Sequence, residues 1–418
     1  MVMKRTTTVT FLVVLVSFIC LFCEATWVNC IGNQTCNPSH YYEPKTLSEL
    51  QTHLKDAVSE GSKVRVVGGG YSISDLVCTD GYLLNLRNFN HILSVDQENA
   101  LVHVEAGITM QELNERLGDY GLALSNQAAI ECITLGGAIA TAVHGTGHTS
   151  TLSSFIRNIE LMTADGIMHS LSLTSDVDAY AAARVSLGAL GVVYAVTLQC
   201  EPLFYLKADH EVWDINTLMT HYKELNENND FFQFSWNIES GKAAVTRLNR
   251  DYLSNDSEIC YKALACYTID DNDKDLFSEI AVPIDSLPIV LGKIEQFVES
   301  YQNQGITIAD VVVRFVEADK NALLSPAADR AVAYMTMSIP KEYERLGFYE
   351  GFEALLQGYQ GRPHWGKTNF LDNVKASSLY GENLEKFISV KRRLDPLGVF
   401  SNGYIDRVCG SHGSTYKP

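Results

Sequence analysis

Val64-Arg65-Val66-Val67-Gly68-Gly69-Gly70-Tyr71-Ser72 decides how the rest of this chain is read. Alternating apolar residues argue a buried strand. The three glycines that follow remove every side chain where the backbone must approach something closely. A turn of this kind presents consecutive N–H groups, a cradle suited to a phosphate or pyrophosphate. A tight turn with no ligand is the plainer reading of the same residues.

Working outward, Thr46 and Glu49 form a capping-box pattern ahead of Leu47, Leu50, Leu54 and Val58, and Gly61 ends that helix. After the glycines, short strands are expected at 83–86, 92–95 and 101–105. A second capping box, Thr109 with Glu112, opens a helix carrying Met110, Leu113 and Leu117. Residues 135–147 are small and glycine-rich. Ile159–Met162 and Ile167–Leu173 flank Ala164-Asp165-Gly166 as a hairpin. Residues 181–188 are expected to be helical and 191–200 to form an apolar strand. From about residue 203 the texture changes. Strands are expected at 231–236, 306–317 and 331–339, and helices at 289–301 and 343–359.

The chain has 418 residues, 46% of them hydrophobic, and a formal net charge of -18. That size allows two domains, and the acidic balance argues against nucleic acid as a partner. Lys4 and Arg5 precede the apolar run Phe11–Cys23, followed by Glu24 and Ala25. This pattern predicts a signal peptide over 1–25 and a secreted or lumenal chain, or a membrane-anchored one if the segment is kept. Eight cysteines remain beyond it. Cys30–Cys36 and Cys260–Cys266 look like small loop clips, and Cys78, Cys132 and Cys200 like buried thiols. Asn33-Gln34-Thr35 and Asn255-Asp256-Ser257 are glycosylation acceptors if the chain is secreted. The glycines do not complete G-x-G-x-x-G and no P-loop lysine follows them, which argues against nicotinamide-dinucleotide and nucleoside-triphosphate sites. There is no G-x-S-x-G, H-E-x-x-H or C-x-x-C, so serine-hydrolase chemistry is not supported and no metal ligand is assigned.

Taken in order, several motifs resemble the sugar-lactone oxidases within the vanillyl-alcohol-oxidase type of FAD-binding proteins. They are Val66–Ser72 with Cys78-Thr79-Asp80-Gly81, Val104–Gly107, Gly136–Gly147 and Leu161–Gly166. Gly361–Lys367 and Leu394–Phe400 carry the likeness into the second half. The resemblance implies an α+β, two-lobed fold: an FAD-binding domain over 41–203 and an α+β substrate cap over 204–418, whose last segment returns to the FAD domain. It implies FAD held by Val67, Gly68, Gly69, Gly70, Tyr71 and Ser72, by Gly136, Gly137, Thr141, His144 and Gly145, and by Gly188, Gly191 and Val192. It also implies oxidation of a sugar 1,4-lactone of the L-gulono-1,4-lactone kind in ascorbate-type biosynthesis, with hydride passing to flavin N5 and O2 returning the cofactor with release of H2O2. Another sugar or alditol donor, or a flavin-binding homologue with weakened turnover, are the alternatives. The oligomeric state is left open.

Two positions depart from the family pattern. Tyr71 stands where many members carry a histidine bonded to the flavin, so the FAD is expected to be non-covalent. The family's Glu-x-Arg reads Val312-Val313-Arg314, which keeps the arginine and loses the glutamate. Asp310 shares the strand face of Val312 and Arg314 but lies roughly 7 Å along the strand from the Val312 position. It reads better as a turn cap or a solvent-facing group. Arg314 and Lys367 are the expected catalytic cations at the flavin's N1–C2 edge, with an ion pair and a solvated loop charge as their plainer roles. His364 is a candidate base, or a satisfied structural histidine.

Overall fold

The computed structural model describes residues 26–251, 258–260, 276–302, 310–339 and 346–411. Residues 1–25, the triplet at Asn255 and Cys266 lie outside them. Among the described residues no helix is long and apolar enough to cross a membrane.

Two sheets build the first half. His40–Tyr42, Tyr82–Asn85 and Val64–Val67 form a small parallel sheet with Tyr82–Asn85 central. Ile92–Asp96, Leu101–Glu105, Val192–Gln199, Ile156–Met162 and Met168–Leu171 form an antiparallel sheet. Helix Leu47–Ser59 buries Leu50, Leu54 and Ala57, as its periodicity requires. Thr46 caps Glu49 N–H, but the Glu49 carboxylate takes the N–H of Lys45, so that capping box is only half made. The box of Thr109 and Glu112 is complete. The helix expected over 181–188 instead spans Val177–Ala183. Leu187 and Gly188 both have positive φ, 53° and 63°, which no α-helix admits.

The second half is an eight-stranded sheet among the described residues. Its central strands are Phe231–Asn237, Val311–Val316, Val332–Ile339 and Leu276–Pro283, in that order and all antiparallel. The period-2 pattern divides the two faces. Phe232, Phe234, Val313, Phe315, Met335, Met337 and Ile280 pack under helices Ile215–Asn228, Leu287–Gln302 and Phe348–Gln357. The other face, bearing Val312, Arg314, Tyr334, Thr336 and Glu279, turns toward the first half.

Several seams join the halves. Gly147 N–H donates to Phe315 O at 2.9 Å, so the end of the glycine-rich segment docks on the cap sheet. Ile73 N–H donates to Gly366 O and Ser74 Oγ to Trp365 O, both at 2.8 Å. Near the C-terminus, Val399 O accepts from Val64 N–H at 2.8 Å, and Phe400 O from the Arg65 guanidinium. Helices Asn373–Tyr380, Glu382–Leu394 and Gly403–Cys409 share one core with residues of the first half.

The disulfide arrangement differs from the expected clips. Cys36 bonds to Cys78, with a Cα–Cα distance of 5.5 Å. Cys30 is an exposed thiol, and Cys132, expected to be buried, is exposed as well. Cys200 is a buried thiol as expected. Parallel pairing explains the bridge: His40 lies opposite Tyr82, and each cysteine sits four residues ahead of its strand.

Candidate active site

A cavity of about 170 Å³, partly open to solvent, runs between the two halves. The glycine loop Gly68–Ser72 forms one wall. Gly136, Gly137, Thr141 and His144 form a second, and Gly188 and Gly191 a third. Glu279, Arg314, His364 and Lys367 close the far end. Of the residues expected to touch a cofactor, Gly145 and Val192 are not in this lining. A Cβ at Gly145 would lie 2.1 Å from Asn126 Oδ1, so its glycine serves chain-to-chain packing. Val192 is fully buried in the core, and strand alternation gives its neighbour Val193 to the cavity instead.

The glycine loop is shaped by its own protein neighbours. A Cβ at Gly68 would meet Thr134 Oγ1 at 1.8 Å, and one at Gly69 would meet Cys132 O at 2.8 Å. Gly70 has φ +72°, a conformation that glycine adopts without strain. Among the described residues no protein acceptor takes the backbone N–H of Gly68, Gly69, Gly70, Tyr71 or Ser72. A solvent-accessible loop of such donors, lining the cavity, suits a pyrophosphate. Behind them Arg65 is 2% exposed. Its guanidinium donates to the carbonyls of Gly188, Phe400, Leu76 and Leu187 at 2.9, 2.8, 2.7 and 2.8 Å. Burial pushes that group down to about 10, which leaves it charged at neutral pH. The Tyr71 hydroxyl meets the Cys30 and Cys132 side chains, and burial together with these contacts raises its pKa.

At the other end sits a carboxylate that the sequence reading missed. Glu279, in strand Leu276–Pro283, pairs through its Oε1 with Arg314 and accepts the Thr336 hydroxyl at 2.8 Å. Burial alone would raise its carboxyl, but Arg314 and His144 outweigh that and hold it well below the usual carboxylate range. Its signal in the sequence was one acidic residue inside an apolar strand, which parity alone reads as solvent-facing. Asp310 lies apart, accepting from Ser235 Oγ at 3.0 Å and Asn237 Nδ2 at 2.9 Å.

His144 is buried, stacked on Tyr334 with ring centroids 3.6 Å apart. His364 Nδ1 accepts the Gly366 N–H at 3.0 Å, and burial pushes this imidazole down to about 3, so it is neutral. Burial also lowers the Lys367 ammonium, which stands 5.3 Å from the Phe277 ring centre. His144, Glu279 and His364 have the spacing of metal ligands. Arg314 already neutralises the one carboxylate, and a divalent ion there would face two fixed cations. The cluster therefore reads as a polar end with one excess positive charge, in an otherwise apolar cavity.

Comparison with known proteins agrees with this geometry. A family described as "FAD binding domain" matches residues 38–172, and one described as "D-arabinono-1,4-lactone oxidase" matches 196–264 and 251–408. The chain is 32% identical to an L-gulonolactone oxidase of Scyliorhinus torazame, over 89% of this chain and 96% of that protein. It is 30% identical to an L-gulono-1,4-lactone dehydrogenase of Mycobacterium tuberculosis, over 92% and 99%. Among solved structures, a cholesterol oxidase from B. sterolicum superposes with a TM-score of 0.77 at 13% identity, over 92% of this chain and 96% of that one. That likeness establishes the fold.

Proposed function

Because the chain belongs to the D-arabinono-1,4-lactone oxidase family, we propose that it is an FAD-dependent oxidase of a sugar 1,4-lactone, resembling L-gulono-1,4-lactone, in ascorbate-type biosynthesis. One observation carries the reading. The same cavity is lined by the glycine loop Gly68–Ser72 and by the buried Glu279 with Arg314 and Lys367. A backbone cradle and a charged, partly desolvated end are what a dinucleotide with a reactive ring requires.

The N–H groups of Gly68–Ser72 would hold the pyrophosphate, and Gly136, Gly137, Thr141, Gly188 and Gly191 would admit the cofactor without side-chain obstruction. FAD supplies a two-electron hydride acceptor at its N5 and, with O2, releases H2O2. Arg314 and Lys367 place positive charge at the reacting end, where a partly desolvated site strengthens its effect. The His364 Nε2–H, fixed by the bond to Gly366, is a neutral donor for a substrate oxygen. The FAD-binding half takes 41–203 and the cap 204–418, with the C-terminal segment packed back on the first half. Tyr71 offers a phenol where an imidazole link would form, so the FAD is held non-covalently. The Cys36–Cys78 bond supports an oxidising, secretory setting.

Purified protein should be yellow, release all its flavin on denaturation, and bleach anaerobically with a sugar 1,4-lactone but not with alditols. Flavin that stays attached to peptide removes the non-covalent assignment. Bleaching by alditols alone removes the lactone. Reoxidation that forms no peroxide replaces oxygen by another acceptor.

A further inference from the structure

The N–H groups of the glycine loop are only as well aimed as its carbonyls are held. Across a planar trans peptide, the C=O of one residue and the N–H of the next point in opposite directions. Residues 26–36 hold those carbonyls. Cys30 N–H donates to Gly70 O at 2.9 Å. Asn29 Nδ2 donates to Ser72 O at 3.0 Å, and Asn33 Nδ2 and Gln34 Nε2 both donate to Ile73 O at 2.9 Å. A Cβ at Gly70 would lie 3.2 Å from Trp27 Cζ2, so the indole packs against the loop there. With Ser72 O turned to this segment, the Ile73 N–H faces away and donates to Gly366 O. The bond from Cys30 to Gly70 O turns the Tyr71 N–H away in the same manner. Among the described residues, the cavity lining takes in Gly68–Ser72 and none of 26–36, so the loop stands between this segment and the cavity.

The segment has little to hold itself together. Its strands Trp27–Val28 and Thr35–Cys36 are two residues each, and an isolated two-stranded hairpin is marginal in water. Asn29, which is 4% exposed, braces the turn. Its Oδ1 accepts the Gln34 N–H at 3.0 Å, and its Nδ2 also reaches Asn33 Oδ1 at 2.7 Å. The anchor is covalent. Trp27 lies opposite Cys36 at the base of the hairpin, and Cys36 is bonded to Cys78.

We propose that residues 26–36 are a strap that positions the dinucleotide loop, with Asn29, Asn33 and Gln34 as positioning residues and the Cys36–Cys78 bond as the clasp. The inference rests on the FAD reading and adds what keeps the cradle aimed. FAD affinity then depends on the oxidation state of a bond whose two cysteines lie outside the cavity lining. A phosphine reductant opens the clasp without drawing on the flavin. The S–S bond breaks, phosphorus is oxidised to the phosphine oxide with the oxygen of water, and the two protons of that water complete the two thiols.

The test uses the full chain stripped of flavin: oxidised, opened by a water-soluble phosphine, and as the double variant Asn33→Ala/Gln34→Ala, which keeps the disulfide. Val28→Ala, at an exposed side chain of the same hairpin, is the control. FAD titration should show binding weakened at least about tenfold, 1.4 kcal/mol, in the opened protein and in the double variant, with the control unchanged. Reoxidation should restore the opened protein. The 31P resonances of the bound pyrophosphate should shift in the double variant, a change that a loss of general stability does not produce. Without flavin, hydrogen exchange at the Ile73 N–H should speed up at least about tenfold in both. Affinity within about twofold of the oxidised wild type in both overturns the proposal, as does equal weakening in Val28→Ala. A wild type that binds no FAD defeats the FAD reading instead, and exchange at Ile73 then decides the strap: unchanged exchange on opening overturns it.

Discussion

Arg65→Met is the perturbation that tests the architecture of the cofactor wall most directly. The guanidinium is the common partner of four carbonyls from three separate segments: 76, 187–188 and 400. Methionine matches much of the stem but leaves all four oxygens without a donor. Hydrogen bonds to charged groups contribute about 1.5–3 kcal/mol each, but burying the guanidinium costs part of that. Each buried carbonyl left without a donor costs about 1–3 kcal/mol, so we expect a net loss of about 4 kcal/mol. At about 2 °C per kcal/mol for a long chain, Tm should drop by about 8 °C. Leu187 and Gly188, both at positive φ, give their carbonyls to this cluster, and releasing them loosens the wall against which the cofactor would lie. FAD affinity should therefore weaken at least about tenfold, the equivalent of 1.4 kcal/mol. Circular dichroism against temperature gives the first quantity and flavin titration of the apoprotein the second. Arg65→Lys should recover less than half of either loss, because one ammonium cannot reach four oxygens in a fixed fork. A methionine variant with wild-type Tm and wild-type flavin affinity would refute the assignment of Arg65 as the hub of this wall.

Gly68→Ala should cost about 1–3 kcal/mol by overpacking against Thr134 and lose FAD. Gly121→Ala, where a Cβ meets nothing within 4 Å, should keep its full flavin content despite a strained φ; absorbance at the flavin band checks both. Cys36→Ser opens a bridge spanning 42 residues, for which chain entropy predicts a loss of about 4 kcal/mol. Non-reducing peptide mapping should recover Cys36 joined to Cys78 and never to Cys30. Lys367→Met should slow anaerobic flavin reduction by about 10²–10³-fold if its charge acts at the reacting end, with Tm nearly unchanged. An unchanged rate would return Lys367 to the role of a loop charge resting on Phe277.

Much of the first half was legible because its signals are local. A strand ending in three glycines, the capping box of Thr109 with Glu112 and the Ala164-Asp165-Gly166 hairpin each carry their reason within a few residues. Arg314 and Lys367 came from the family resemblance, and the structure brings both to the cavity lining; their part in catalysis is the proposal. The helix at 177–183 was misplaced by a few residues because residues 187 and 188 take positive φ, with their carbonyls bonded to the buried Arg65, and Leu187 carries no mark of this in the sequence.

Sequence by itself determined the glycine loops, because short-range patterning and backbone sterics suffice for them. Only the tertiary structure decided the bond between Cys36 and Cys78, which follows from the parallel register of His40 with Tyr82. It alone decided that Gly145 and Val192 face packing and not the cavity. It also placed Glu279 in the row of Val312 and opposite His144, across 135 residues of chain from that histidine (279 less 144). Strand order and register bring such residues together, and neither is written in the spacing of the residues that meet.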